Sequence, residues 1–252
     1  MKKTTIFHAV CAMVAVLVIA GLPNAAHSQV KEREQNPCSV ESKNQYYKDF
    51  LASHEGNSTE QAKALEAAKK YIACPNQDND QQATLAQLNL AVGRVLIVKR
   101  PREAIPYFIK AASYDSMVKS SPLTYLHLAK AYEAGPYTQQ ADVYKSKFEG
   151  KETTDESLLA LANLNQLVDR IIDAYARALA LAGVVETPRV PRAPWRTPMS
   201  PSPTDWMDSL TVWYKFRHKD SDAGLKELIA SILSQPLPVE AAPITSLPPG
   251  KQ

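Results

Sequence analysis

Side chains that commonly carry catalysis or bind metals are few in this sequence and are widely separated. After the N-terminal segment there are three histidines, His54, His127 and His218, and each falls on a different predicted helix. A three-histidine metal site would need all three helices to converge. The sequence has no Gly-x-Ser-x-Gly nucleophile turn, glycine-rich phosphate loop, His-Glu-x-x-His motif or zinc-finger cysteine pair. We therefore predict no catalytic residues, no metal site, no cofactor and no enzymatic activity.

The N-terminal segment has the pattern of a secretory signal peptide. Two lysines precede an apolar run over 6–20, and small residues lead to a cleavage site between Ser28 and Gln29. We therefore predict that residues 1–28 are removed and that the mature chain is exported, either to the periplasm or outside the cell. The alternative is an uncleaved anchor, but the apolar run is shorter than the roughly 20 residues of a spanning helix. No second such run follows, which predicts no integral membrane segment after cleavage.

The net charge gives no reason to expect a nucleic-acid partner. Removal of residues 1–28 takes away Lys2 and Lys3 and no acidic residue, so the formal charge falls from +3 to +1. A nearly neutral chain without a long basic run has no strong electrostatic attraction for phosphate backbones or anionic membranes. The expected partner is a protein or a peptide.

Cys38 and Cys74 are the two cysteines that remain after the predicted cleavage, and an even number in an exported chain indicates a disulfide. Cys38 precedes a predicted helix over 44–54, and Cys74 ends one over 58–73. In an antiparallel hairpin, the start of the first helix lies beside the end of the second. A disulfide can form there if the two Cα atoms are about 4.4–6.8 Å apart. The alternative is two free buried thiols.

Glycine and proline positions predict an all-α chain with short connections. Gly135 ends one helical pattern and Pro136 suits the first turn of the next, so we predict a helix break between them. A capping box is predicted at Ser58 with Gln61. The predicted helices span 44–54, 58–73, 80–98, 101–115, 122–134, 136–149 and 155–182, after an N-terminal extension over 29–43. Short connections imply antiparallel neighbours, and hence stacked hairpins.

Two of these hairpins share a pattern of small and aromatic residues. The positions are Ala104, Phe108 and Ala111 in the second hairpin, and Ala129, Tyr132 and Ala141 in the third. Over about residues 44–149 this pattern resembles the tetratricopeptide repeat (TPR) family, in which small residues let two helices approach closely. The resemblance implies a right-handed stack of antiparallel helix hairpins; the structural alternative is a helical hairpin array without TPR ancestry.

The first hairpin allows two registers of the repeat. Ala67 keeps the 37-residue spacing of the other hairpins, but it brings His54 and Glu55 to packing positions. Ala64 brings Leu51 and its neighbour to those positions instead. We prefer the Ala64 register because it buries apolar side chains.

The TPR resemblance implies a function as well as a fold. Such arrays bind an extended or helical peptide in a concave groove lined by the first helix of each hairpin. Mapped onto this sequence, the groove-facing positions include Asn89, Leu126, His127 and Lys130. The expectation is a non-catalytic protein–protein interaction module in the periplasm or cell envelope.

A long helix is predicted over 155–182 because apolar residues recur there at alternating spacings of three and four. The stripe consists of Leu161, Leu164, Val168, Ile171, Tyr175, Ala178 and Ala182. We expect this helix to cap the hairpin array, whose last apolar face must be covered. The alternative function is a structural or assembly component that pairs through this helix. Asp173 and Arg177 are predicted to be solvated charges on its surface.

Proline positions divide the remaining sequence into three parts. The stretch 184–203 is predicted to be an extended linker, either a spacer or a ligand for a polyproline-binding groove. A helical hairpin is predicted over 204–234, with Trp206, Leu210 and Trp213 on one face, and we expect it to fold back onto the array and cap it together with the long helix. The tail 235–252 is predicted to be disordered because it is rich in proline. The tract 221–238 resembles the C-terminal ends of exported bacterial TPR proteins of unassigned activity.

Overall fold

The structure, a computed structural model, describes residues 36–75, 81–183 and 202–247, and all regular secondary structure in these ranges is helical. The all-α prediction is therefore confirmed for this part of the chain. The predicted signal peptide lies outside the described residues, as does the predicted linker except for Ser202 and Pro203.

The helix bounds follow the predicted ones to within four residues. In chain order they are α1 (Val40–Ser53), α2 (Ser58–Ala73), α3 (Gln82–Leu96), α4 (Pro101–Ser113), α5 (Pro122–Tyr132), α6 (Thr138–Phe148), α7 (Asp155–Leu181), α8 (Pro203–Arg217) and α9 (Leu225–Ser231). A π turn over Glu133–Tyr137 joins α5 to α6, and a 3-10 turn over Ile232–Ser234 follows α9. Within the described ranges, no helix is both long enough and apolar enough to span a bilayer.

The start of α2 is capped one residue earlier than predicted. The Asn57 side chain accepts hydrogen bonds from the backbone N–H groups of Thr59 and Glu60, and the Glu60 carboxylate accepts one from the Asn57 N–H at 2.8 Å. The predicted pair, Ser58 with Gln61, is therefore wrong. Asparagine is as good an N-cap as serine, and Glu60 occupies the position that completes the capping box.

The first two hairpins are formed by neighbouring helices. α1 packs against α2, α2 against α3, and α3 against α4. A disulfide between Cys38 and Cys74 links the start of α1 to the end of α2, with Cα atoms 5.3 Å apart. The predicted pairing is confirmed, and the bridge fixes both ends of the first hairpin at one point.

The residues that are buried in the first hairpin differ from those that the Ala64 register predicts. Ala64 and Ala67 are both buried, and Phe50 is the α1 residue buried beside them. Leu51 is 48% exposed. The prediction that Leu51 packs against Ala64 is therefore wrong, because the larger Phe50 ring fills the position one residue earlier.

No helix break occurs at Gly135 and Pro136. The π turn carries the helix through both residues, and the Thr138 hydroxyl donates to the Glu133 carbonyl at 2.7 Å. A Cβ on Gly135 would lie 2.8 Å from the backbone nitrogen of Arg102, at the start of α4. Glycine is needed here for close packing against α4, and it does not end the helix. The predicted hairpin of 122–134 with 136–149 is therefore wrong.

α7 is the central helix of the C-terminal half. α5 packs against it to form the third hairpin, and α6 contacts it farther along. α8, α9 and the 3-10 turn also pack on α7. Ile171, Tyr175 and Ala178 of the predicted stripe have no exposed surface. α7 is thus an interior helix and not the end cap that we predicted.

Candidate binding groove on the long helix

The C-terminal segment, residues 235–247, runs along α7 and is not disordered as predicted, whereas residues 248–252 of the predicted tail lie outside the described residues. Its main chain is hydrogen-bonded by side chains of Asn163, Arg170 and Arg177. These three residues are seven apart, which is close to two helical turns, so they lie on one face about 10.5 Å from one another. The bonded positions of the segment run from 235 to 244 in the opposite direction. Spanning about 21 Å with so few residues requires a largely extended chain.

The face of α7 that carries Asn163, Gln166, Arg170 and Arg177 is called here the α7 groove. Its most specific contact is made by Asn163. The Asn163 side chain donates from Nδ2 to the Ile244 carbonyl at 3.0 Å, and its Oδ1 accepts from the Ile244 N–H at 2.8 Å. A carboxamide carries a donor and an acceptor side by side, so it satisfies both main-chain groups of one residue. This contact recognises a peptide backbone and not a particular side chain.

Two arginines hold the rest of the segment by its carbonyl groups. Arg170 donates from Nε to the Val239 carbonyl at 3.1 Å. Arg177 donates from Nη2 to the carbonyls of Gln235 and Pro236, at 3.1 and 2.8 Å. Charge-assisted hydrogen bonds of this kind are stronger than neutral ones. Together with Asn163, the arginines fix the segment at both ends and in the middle.

Arg177 is buried, with 4% of its surface exposed, so its prediction as a solvated charge is wrong. Its guanidinium donates to both carboxylate oxygens of Asp173, at 2.7 and 3.3 Å. Burial raises the pKa of Asp173, and the nearby arginine opposes that shift. A buried arginine is tolerated only when its N–H groups are satisfied. The carboxylate and the two segment carbonyls provide these acceptors.

Apolar side chains complete the contact between the C-terminal segment and the helices. Leu237 and Ala241 pack against the core, and Ile244 is half-buried. Beside Ala241 there is a cavity of about 40 Å³, also lined by Tyr132 and Leu167. Burial is the main cause that raises the pKa of Tyr132 to about 12. The groove therefore combines main-chain hydrogen bonds with small apolar contacts.

Two of the four predicted groove residues belong to the core. Asn89 is 1% exposed, and its side chain donates to the Leu85 carbonyl of its own helix at 2.8 Å. Leu126 is 6% exposed and packs within the hydrophobic core. The prediction that these residues face an open groove is wrong, because neighbouring helices cover the faces of α3 and α5 that carry them.

The other two predicted residues, His127 and Lys130, are engaged in local contacts. The His127 ring stacks on Phe108 at a centroid distance of 5.7 Å, and burial lowers its pKa. Lys130 is exposed and forms an ion pair with Glu133 at 2.8 Å. Burial alone would lower the pKa of Lys130, but hydrogen bonds to Glu133 and Tyr175 raise it. The four predicted residues thus do not form one site.

Glu133, at the π turn, joins three helices and was not identified from the sequence. Its Oε1 accepts hydrogen bonds from the Tyr175 hydroxyl at 3.0 Å and from Trp213 Nε1 at 2.6 Å. Its Oε2 is bound by Lys130. The Trp213 ring also packs edge-on against the Tyr137 ring, with 4.7 Å between the ring centroids. These contacts fasten α8 to α5 and α7, which is a structural role.

The predicted histidines do not form a metal site in the described residues. No three histidine, cysteine or acidic side chains lie close enough there to hold a metal ion. His54 lies at the end of α1, His127 in α5 and His218 at the end of α8. The apolar stripe of α7 packs internally, so it is not a free surface for helix pairing.

Comparisons of the chain with protein-family models, with curated proteins and with solved structures found no match. The assignment of function therefore depends on the α7 groove.

Proposed function

We propose that the protein is a non-catalytic interaction module that binds an extended segment of a partner protein in the α7 groove. One observation supports this most directly: Asn163 bonds both main-chain groups of a single residue in an extended segment. Main-chain recognition is how many modules bind extended peptides, because every residue except proline presents the same two groups. Arg170 and Arg177 extend this recognition over the length of the groove.

We further propose that the hairpins form a TPR-like, right-handed array and that the protein acts in the periplasm or outside the cell. The successive packing of α1 to α4 supports the array. The disulfide between Cys38 and Cys74 supports an oxidising compartment. An exported array of this kind would present the α7 groove to partners in the cell envelope.

Site-specific photocrosslinking in the native cells tests the proposed function. A photoreactive residue in place of Gln166, which lines the cavity beside the C-terminal segment, should form an adduct with a defined partner protein. The same residue in place of Lys48, which is exposed on α1, serves as the matched control and should not form that adduct. Equal adducts at both positions, or none at Gln166, would contradict the proposal.

A further inference from the structure

The C-terminal segment is itself a template for what the α7 groove accepts. Leu237, Ala241 and Ile244 are its partly buried apolar residues, separated by four and three positions. Val239, between them, is 75% exposed, so its side chain contributes little to recognition. The groove therefore selects apolar side chains at three positions and tolerates variation between them.

Proline fits this segment without loss of hydrogen bonds. Pro236, Pro238 and Pro243 lack an N–H, but α7 bonds the carbonyls of residues 235, 236, 239 and 244 and only one N–H of the segment, that of Ile244. Proline also restricts φ and favours an extended chain, which lowers the entropy that is lost on binding. Proline at positions 236, 238 and 243 thus costs none of the hydrogen bonds to α7, whereas proline at the third apolar position would remove one.

We infer that the partner's segment has this same chemistry. It is extended, contains proline and has apolar residues at three positions, separated by four and three. The residue at the third position is not proline, because its N–H must donate to Asn163. Such a segment would compete with residues 235–247 for the α7 groove. This inference rests on the proposed function and specifies the partner for the same site.

Competition with a tethered segment sets the affinity that a partner must reach. A segment joined directly to the 3-10 turn has an effective concentration in the millimolar range or above. The apparent affinity for a partner falls in proportion to the fraction of molecules whose groove is vacant. Weakening the tethered segment should therefore strengthen binding of a free one.

Fluorescence anisotropy with a labelled peptide of residues 235–247 tests the inference on the full chain. The variant L237D/I244D weakens the chain's own segment by placing carboxylates at two of its partly buried positions. We expect this variant to bind the peptide at least tenfold more tightly than the wild-type chain does. V239D, at an exposed position, is the matched control and should bind like wild type. A peptide with I244P lacks the N–H that donates to Asn163, and it should bind at least tenfold more weakly.

Absence of peptide binding to L237D/I244D, or unchanged binding of the I244P peptide, would overturn the inference. If the double variant loses its helical circular dichroism, the single variant I244D is used instead. The same two measurements, peptide binding to the variant and the effect of I244P in the peptide, then test the inference. A wild-type dimer that disappears in L237D/I244D would assign the groove to a second copy and would also overturn it. A Gln166 adduct without peptide binding would overturn the inference and leave the proposed function intact, whereas peptide binding without an adduct would contradict the proposed function and, with it, the existence of the partner that the inference describes.

Discussion

The two N-terminal hairpins, α1 to α4, and the C-terminal half, from α5 to residue 247, are both helical but are stabilised differently. Contacts between neighbouring helices and one disulfide dominate the N-terminal hairpins. In the C-terminal half, polar side chains bond groups that are distant in sequence, such as Asn163 with Ile244 and Trp213 with Glu133. Local sequence signals predict the helices and the pairing of the first kind of structure, whereas the second depends on how the chain folds back onto α7.

The largest expected effect tests whether buried polar contacts hold the C-terminal half. Arg177→Met keeps an apolar stem but leaves the Asp173 carboxylate and two segment carbonyls without their donor. Breaking a buried ion pair on one side costs about 3–5 kcal/mol. Urea unfolding should show a loss of this size in the free energy of unfolding.

The matched control for Arg177 is Arg217→Met. Arg217 also bonds an aspartate of α7, Asp169, at 2.8 Å, but its side chain is 37% exposed. Exposed ion pairs contribute about 0–1 kcal/mol. Equal losses for the two variants would show that burial of Arg177 is not important.

The corresponding test of the N-terminal hairpins removes the disulfide. The variant C38S/C74S should lose about 3–4 kcal/mol of stability, because the bridge restricts a loop of this length in the unfolded chain. Thermal unfolding of the oxidised wild type and the double variant measures the difference. A loss below about 1 kcal/mol would mean that helix packing alone holds the first hairpin.

A smaller effect is expected when the C-terminal segment loses its contact with Asn163. Asn163→Ala removes both hydrogen bonds to Ile244 and should cost about 1–2 kcal/mol. Hydrogen exchange at the Ile244 amide should become faster, because its acceptor is gone. Gln166→Ala, on the same face, is the control. Unchanged exchange in Asn163→Ala would contradict the role of this contact.

The smallest effect is a pH dependence in the core beside the segment. Tyr132 has a pKa of about 12 in the folded protein, above the usual value of 10.0. The folded state therefore keeps a proton that the unfolded state loses, and stability falls as pH rises from about 10 to 12. Tyr132→Phe should reduce this fall by about 1 kcal/mol at pH 11. Parallel pH profiles of unfolding for both proteins would contradict the assignment.

Most helix bounds and the disulfide could be predicted because capping residues, glycines and apolar periodicity act within a few residues. The local sequence could not show that the helix continues through Gly135. Glycine is required there because the Arg102 backbone lies close to it, and this is a tertiary contact. Tertiary packing also overrode the first-turn preference of Pro136.

The α7 groove was missed for a related reason. A proline-rich tail without periodicity favours disorder by composition, and polar residues on a helix usually face water. The available signal was the heptad spacing of Asn163, Arg170 and Arg177 along the long helix. Asn89 and Leu126 were assigned to a groove because the sequence does not show which helix face its neighbours cover.

The π turn at Glu133–Tyr137 also determines the rotational phase between α5 and α6. A π turn contains one more residue than the α-helical turn it replaces, and each residue of an α-helix rotates the chain by about 100°. Deleting one residue here would continue the helix without interruption, but it would turn a different side of α6 toward α7. The length of this short stretch, more than its composition, therefore decides which α6 side chains face solvent.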